Sequence, residues 1–214
     1  GVAVTLRYEK GEFALGATHN LYDELSPIAY IVSGHFEEQR VGGDVTDNRY
    51  AIYFGYRRSF RRTDDLILPR AGYLGTAEVG GAPPGLATQE FLRILAGASL
   101  LLPVSRDGDL LIRGQAGSVV AKTREGIPTT FLFRTGGDQT VRGYAFESLG
   151  VRQADAIVGG RRLAWGSVEY THWVGEGWGL GAFVDAGNAW DEGLDFDPAI
   201  GYGVGARLRT PIGP

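Results

Sequence analysis

The sequence predicts an all-β fold, an antiparallel transmembrane β-barrel, and alternation of residue types is the first observation behind it. In residues 49–57 the even positions are large and apolar, whereas the odd positions carry arginine, alanine, tyrosine and glycine. Residues 200–209 repeat this split, with apolar side chains at even positions against glycine and arginine. Because side chains of a strand point alternately to its two faces, this pattern indicates strands rather than helices. Alternation does not say which face meets water, so a soluble β-sandwich is the alternative.

Two further observations favour the membrane barrel. Trp178 and Trp190 fall on one face of a single predicted strand, and in a tilted strand their separation spans roughly 30 Å along the membrane normal, which matches two aromatic girdles. The opposite faces of the strands carry polar residues that suit a wet lumen, namely Arg113, Gln115, Glu169, Arg207 and Arg209. The connections also alternate in length, with tight turns at 9–12, 105–108 and 175–177 and longer polar segments at 37–48, 80–90, 123–160 and 190–198.

The first four strands are predicted at residues 2–9, 12–18, 28–37 and 49–59. The first has Val2, Val4, Leu6 and Tyr8 on one face, and the fourth has Tyr50, Ile52, Phe54 and Tyr56. A basic segment at 61–73 follows, and its proline argues against a central strand because proline cannot donate a ladder hydrogen bond. We predict that this segment is a periplasmic turn.

Six more strands are predicted at residues 72–79, 90–102, 109–121, 161–173, 178–190 and 200–209, which makes ten in all. Residues 80–85 form a loop by composition, since they consist of glycine, alanine and proline. In the last strand Val204, Ala206 and Leu208 share the outward face with Ile200 and Tyr202. The chain opens directly in a strand pattern and ends in a turn at 210–214, so we expect an internal fragment of a larger barrel whose unpaired edge strands prevent stable insertion by itself.

Composition excludes several classes of protein. The 214 residues include 34 glycines and no cysteine, and the net charge is −4 with dispersed basic residues. No electrostatic footprint for nucleic acid is present, and disulfides and thiolate metal or redox sites are excluded. No apolar run is long enough for a spanning helix, so a membrane-spanning form has to be a barrel.

Catalytic and metal-binding constellations are not apparent in the sequence. His19, His35 and His172 share no ligand spacing, which argues against a metal site. The adjacent carboxylates Glu37 and Glu38 point to opposite faces of a strand and do not converge as acid–base catalysis requires. We therefore predict that the protein is not an enzyme and needs no cofactor.

One glycine-rich loop and one strand contain the most informative residues. The loop tip within 134–144 carries Gly136, Gly137, Val141, Arg142, Gly143 and Tyr144, and the strand some forty residues later carries Phe183, Asp185 and Gly187 on one face. If the loop folds into the lumen, its arginine loses hydration and requires carboxylate partners. Asp185 and Glu169 are the candidates on the non-lipid faces of their strands. The glycines permit positive φ and close approach to the wall.

These two motifs resemble the VRGY loop and FxDxG strand of the outer-membrane assembly superfamily, whose members include BamA, TamA and the two-partner secretion transporters. Further segments in the same order are similar to the TamA branch and cover most of residues 64–214. They are DDLILPRAGY, GGAPPG, FRTGGDQTVRGYAFESLGV, GGRRLAWGSVEYTHW, GLGAFVDAGNAWD and IGYGVGARLRTPIGP.

The resemblance implies that residues 1–214 are an incomplete C-terminal membrane β-barrel domain, about ten strands of sixteen with a long inward-folded loop. The POTRA domains, the first four strands and the last two strands are expected to be absent from this chain. Arg142 is implied to be a latch residue, with Glu169 and Asp185 as its partners beside Phe183 and Gly187.

The implied function is assistance to insertion or secretion of autotransporters and other outer-membrane proteins in the outer membrane of a Gram-negative bacterium. It works through strand templating at the barrel seam, and the implied partners are lipid, substrate proteins and a TamB-like inner-membrane protein. A two-partner secretion transporter or a BamA-like insertase is the alternative within the superfamily. A passive pore, which predicts a lumen without a latch loop, and a soluble β-sandwich binding module are the alternatives outside it.

Overall fold

The computed structural model describes residues 2–9, 12–19, 28–41, 44–65, 69–154, 156–175, 177–191 and 196–208. The twelve strands are β1 (Val2–Glu9), β2 (Glu12–His19), β3 (Ile28–Val41), β4 (Asp44–Thr63), β5 (Gly72–Ala82), β6 (Phe91–Ser105), β7 (Gly108–Val120), β8 (Val151–Gln153), β9 (Ala156–Val158), β10 (Arg162–Val174), β11 (Trp178–Trp190) and β12 (Ala199–Leu208). A short 3₁₀ helix, η1, covers Thr129–Phe131.

Ten of these strands form one antiparallel sheet in the order β1-β2-β3-β4-β5-β6-β7-β10-β11-β12. Each strand therefore pairs with its neighbour along the chain, except that the 121–161 segment lies between β7 and β10. Within the described residues, no ladder joins β12 back to β1. All ten strands expected from alternation are present, which confirms the predicted antiparallel all-β sheet.

The alternating faces lie as predicted. Tyr50, Ile52 and Phe54 are exposed, as are Val204, Ala206 and Leu208, whereas Ala51 and Tyr53 on the opposite face of β4 are buried. Tyr56 shares the exposed face but is half-buried. We call the face that carries these exposed apolar residues the outer face, and the opposite face of the sheet the inner face. Trp178 and Trp190 both lie on the outer face, at the two ends of β11.

Two polar segments predicted as connections are strand instead. Residues 37–41 belong to β3 and residues 44–48 to β4, and their ladder continues from Glu37 opposite Arg49 to Val41 opposite Asp44 with an irregularity after Gln39. Residues 61–63 continue β4 opposite β5. In both places apolar and polar residues no longer alternate. The backbone of each strand nevertheless forms ladder hydrogen bonds with an antiparallel neighbour. The prediction failed because ladder hydrogen bonding does not depend on side-chain polarity.

The predicted alternation of connection lengths holds only from β5 onward. There, 83–90, 121–161 and 191–198 lie at one end of the sheet, and the short connections at 106–107 and 175–177 lie at the other. The connection from Glu9 to Glu12 was predicted to be a tight turn at the end of the sheet that has the short connections. It lies instead at the end that has the long connections, because successive strands reverse direction. Residues 10, 11 and 176, the predicted inner-face Arg209 and the turn at 210–214 lie outside the described residues.

The long 121–161 connection covers the inner face and forms the apolar core with it. Ile127, Phe131 and Phe133 from this connection are buried, and together with Tyr53 of β4 and Phe91 of β6 they belong to one cluster. The ring centroid of Phe131 lies 4.8 Å from those of both Tyr53 and Phe91. Burying such a side chain stabilises the fold by about 1.5–3 kcal/mol. A folded loop therefore fills the position that a second sheet occupies in a β-sandwich, the alternative left open by the sequence.

The connection also contains the β8–β9 hairpin, which the sequence did not predict. Isolated bridges between Phe133 and Gly160 and between Thr135 and Leu149 hold the two sides of the connection together. Strands of three residues are too short to show alternation, which explains the omission. No helix among the described residues has both the length and the apolar character needed to cross a membrane.

Candidate functional site

The tip of the long connection is a compact turn that requires its glycines. Gly136 and Gly137 adopt φ values of +104° and +100°, a region that residues with a Cβ rarely adopt. The Thr140 hydroxyl accepts a 2.9 Å hydrogen bond from the Gly136 N–H, and the Gly137 N–H donates to the Val141 carbonyl at 3.2 Å. The Val141 side chain is fully buried. This turn orients the next residue, Arg142, toward the inner wall of the sheet.

The wall opposite the tip presents a row of polar side chains. Ser167 of β10 pairs with Asp185 of β11, and Glu169 pairs with Phe183, so all four lie on the inner face in two adjacent rows. Asp185 has no exposed surface and Glu169 is 5% exposed. Carboxylates buried this deeply require cationic partners, because an isolated buried charge is strongly unfavourable.

Arg142 supplies that cation to both carboxylates. Its Nε donates to Asp185 Oδ2 at 2.7 Å and its Nη2 to Asp185 Oδ1 at 2.8 Å, which makes a two-pronged contact. Its Nη1 donates to Glu169 Oε2 at 2.5 Å, and its Nη2 also reaches Ser167 Oγ at 3.2 Å. The backbone N–H of Arg142 donates to Asp185 Oδ2 at 3.0 Å. The guanidinium carbon lies 3.4 Å from the centre of the Phe183 ring, a cation–π contact.

We call Arg142, Ser167, Glu169, Phe183 and Asp185 the latch cluster. Its geometry exploits the planar guanidinium, which can bond one carboxylate with two parallel N–H groups and still reach a second. The hydrogen bond from the Arg142 side chain to Asp185 raises the pKa of Arg142 above its ordinary value, and burial opposes that shift. The arginine therefore stays charged while it holds the loop against the wall.

The other expected site residues surround this cluster in supporting positions. Gly143 has a φ of +92°, and among the described residues no neighbour would lie within 4 Å of a Cβ added there. Its backbone conformation, and not a lack of space, therefore explains why this residue is glycine. The Tyr144 hydroxyl donates to the Ile200 carbonyl of β12 at 3.4 Å. At Gly187, an added Cβ would lie 2.3 Å from the Cβ of Trp165. Gly187 thus permits the packing of Trp165 on the wall.

Three wall residues near Arg142 were not predicted as its neighbours. Ser167 was not among the predicted site residues, and Arg207 was predicted only as a residue of the polar lumen face, although Arg207 Nε donates to Glu169 Oε1 at 2.7 Å. Period-two alternation, which puts Ser167 on the face of Glu169, could have identified the serine. Gly201 of β12 has no such signal, yet a Cβ there would lie 2.1 Å from the Arg142 carbonyl oxygen. Only the folded loop shows why this position is glycine.

Gly201→Ala is expected to weaken the latch without altering any charge. The new methyl group collides with the Arg142 backbone carbonyl, and backbone atoms move less easily than the end of a side chain, so we expect a loss of about 1–3 kcal/mol in tip stability. Amide hydrogen exchange of residues 135–149 measures it. Gly205→Ala on the same face of β12 is the matched control, because an added Cβ there would have no neighbouring side chain or backbone within 4 Å among the described residues. Equal protection in the two variants would contradict this close approach.

A second polar cluster, also missed from the sequence, anchors the base of the connection. Glu78 of β5 is 7% exposed, and it accepts hydrogen bonds from Tyr53, Arg57 and Arg93 at 2.5–3.0 Å. Arg93 Nε in turn donates to the Phe131 carbonyl at 3.3 Å. We call Tyr53, Arg57, Glu78, Arg93 and Phe131 the base anchor. The connection is therefore attached to two separate parts of the sheet, at β4–β6 by the base anchor and at β10–β11 by the latch cluster.

Comparison with known proteins agrees with this architecture. Residues 4–214 match the Omp85 superfamily domain. Among solved structures, the fold is similar to the crystal structure of BamA from Haemophilus ducreyi lacking POTRA domains 1–3, with a TM-score of 0.73 at 16% sequence identity. The alignment covers 95% of this chain and 49% of that one, so this chain spans about half the length of the solved structure that it matches. The expected fold class, a partial antiparallel barrel, is confirmed.

Proposed function

The chain belongs to the Omp85 superfamily, and from this premise we propose that it is part of the outer-membrane β-barrel of a factor that inserts or exports proteins in a Gram-negative bacterium. The observation that carries the proposal is the attachment of Arg142 to Asp185 and Glu169 on the inner wall. A passive pore requires an open lumen, whereas here a loop occupies the inner face and is held by buried charges. Loops held by a small number of strong contacts are suited to two-state movement.

The exposed apolar outer face supports the location. Side chains such as Phe54, Leu100, Val184 and Val204 are exposed on this face, where a lipid environment removes them from water. In the hydrocarbon region every backbone polar group has to be bonded within the protein, and a sheet of neighbouring antiparallel strands meets that requirement everywhere except at its edges. An edge strand of the whole barrel can template an incoming strand by backbone hydrogen bonding. We propose this templating, without any cofactor, as the mechanism.

Within the superfamily we propose the TamA-like role, in which the substrates are autotransporters and related outer-membrane proteins and a TamB-like inner-membrane protein is the partner. The support is the ordered set of sequence segments across 64–214. We further propose that residues 1–214 are part of a larger C-terminal barrel domain, preceded by POTRA domains in the whole protein. The support is that this chain spans about half of the BamA chain that it matches.

Loss of the whole protein from its native cell distinguishes the superfamily roles. We expect reduced surface display of an autotransporter, measured by protease accessibility on intact cells, with ordinary folding of abundant porins measured by heat-modifiable electrophoretic mobility. Affinity purification of the full-length protein should recover a TamB-like partner. A general failure of porin folding would instead identify a BamA-like insertase. Loss of one dedicated secreted protein alone would identify a two-partner transporter.

A further inference from the structure

Arg113 of β7 is a half-buried cation whose role the latch cluster does not explain. It lies on the inner face, opposite Ser99 of β6 on one side and Ser167 of β10 on the other. Its Nε atom is buried and has no hydrogen-bond partner among the described residues. A buried donor without a partner costs free energy. An arginine retained at such a position requires an explanation.

Both nearby carboxylates are already occupied. Asp185 receives Arg142 on both of its oxygen atoms. Glu169 receives Arg142 on Oε2 and Arg207 on Oε1. Three guanidinium groups thus face the two carboxylates of this wall, and within the described part of the chain Arg113 is the one of the three that bonds neither of them. It is nevertheless close enough to interact electrostatically with both Glu169 and Asp185.

The register of the sheet brings Glu169 within reach of Arg113. Ser167 is directly opposite Arg113, so Glu169 is its diagonal neighbour on the same face, and long side chains span the ~7–8 Å of such diagonals. Asp185 is opposite Ser167 on the far side of β10. A cavity of about 460 Å³ is lined, among others, by Arg113, Asp138, Arg142, Glu169 and Arg207. Asp138 belongs to the loop tip, so the tip forms one side of this cavity and the wall residues form the other.

Release of the tip creates an electrostatic problem for the wall. Once Arg142 leaves, Asp185 has no cation among its present hydrogen-bond partners, and Glu169 keeps only Arg207, whose side chain is 42% exposed. Removing one partner of a buried ion pair is strongly unfavourable because the remaining charge stays desolvated. Release of the loop would therefore leave buried carboxylates on the wall without a cation, unless another cation replaced Arg142.

We propose that Arg113 is this replacement: when the loop tip withdraws Arg142, the Arg113 side chain turns across the cavity and pairs with Glu169 and Asp185. The wall then has two charge-balanced states, one in which Arg142 bonds the carboxylates and the tip is attached, and one in which Arg113 bonds them and the tip is free. Arg113 is a positioning residue that stabilises the state in which the tip is free, and it does not contact a substrate. The inference rests on the proposed role of the latch, but its measurements are made on the barrel and do not depend on export.

The test uses the full-length protein in lipid nanodiscs, with Arg142→Ala as the variant that mimics withdrawal. A structure of this variant should show the Arg113 guanidinium within hydrogen-bond distance of Glu169 or Asp185. In parallel, unfolding rates of Arg142→Ala, Arg113→Gln and the double variant form a double-mutant cycle. Arg113→Gln alone should change the rate little, because Arg113 has no carboxylate partner in the attached state. The double variant should unfold about tenfold faster than the product of the single effects predicts.

Arg57→Gln provides the matched control for the cycle. Arg57 is also an inner-face arginine, but its partner is Glu78 of the base anchor, so its effect should multiply simply with that of Arg142→Ala. Three results would overturn the proposal: an unmoved Arg113 in the Arg142→Ala structure, a double variant whose rate is the simple product, or a large effect of Arg113→Gln alone. The last would mean that Arg113 serves the attached state, for example by holding an anion. If the double-mutant cycle gave the expected result but the Arg142→Ala variant still exported substrates normally, only the proposed role of the latch cluster in export would be contradicted.

Discussion

Arg142→Ala is expected to free the loop tip from the wall and to lower the delivery of substrate proteins to the cell surface. The substitution removes every side-chain contact of Arg142 with Asp185, Glu169 and Ser167. Hydrogen bonds to charged groups typically contribute about 1.5–3 kcal/mol, so the attached state should weaken about 10- to 100-fold. Hydrogen exchange of the amides in 135–149 should accelerate accordingly, while the strands that flank them stay protected.

Arg142→Lys should recover little of this stability. A lysine ammonium cannot bond both oxygens of Asp185 while also reaching Glu169, because it lacks the planar fork of the guanidinium. Arg152→Ala, which removes an exposed arginine from β8 of the same connection, is the matched control and should behave like the unmodified protein. Surface display of an autotransporter-type substrate and heat-modifiable barrel folding are measured for each variant. Undiminished display with Arg142→Ala would refute the functional role of the latch cluster.

Phe131→Ala is expected to have the largest effect on the stability of the barrel itself. The Phe131 side chain is 6% exposed and contacts the rings of His35, Tyr53 and Phe91. Truncation of a buried phenylalanine leaves a cavity and costs about 3–5 kcal/mol. The midpoint of denaturant-induced unfolding, followed for the full-length protein refolded in lipid vesicles, should fall by the corresponding amount.

Phe146→Ala is the control for this experiment. Phe146 lies in the same connection but is 82% exposed, and surface substitutions usually change stability by no more than about 0.5 kcal/mol. Similar losses in the two variants would show that the base anchor does not stabilise the barrel. A loss for Phe131→Ala that is accompanied by normal protection of the tip would show that the base anchor and the latch cluster act independently.

The local pattern of the sequence determined the strands and the face on which each side chain lies. Alternation in 49–57 and 200–209 is a property of neighbouring residues, and period-two geometry converts it directly into an outer and an inner face. The pairing of Arg142 with Asp185 and Glu169 was expected from the resemblance to the loop and strand motifs of the superfamily, together with the need of a buried cation for carboxylates.

Only the tertiary structure decided how the long connection is anchored. Thr129 donates to Glu37 across 92 residues of sequence, and the Phe131 carbonyl accepts from Arg93 across 38. No local pattern records such contacts, since they depend on how a loop of irregular backbone crosses the inner face. Gly201 is the clearest case: its sequence context is ordinary strand, and the Arg142 carbonyl that excludes a side chain comes from a segment far away in the chain. Alternation is a local signal, whereas anchoring depends on contacts between residues that come together only when the chain folds.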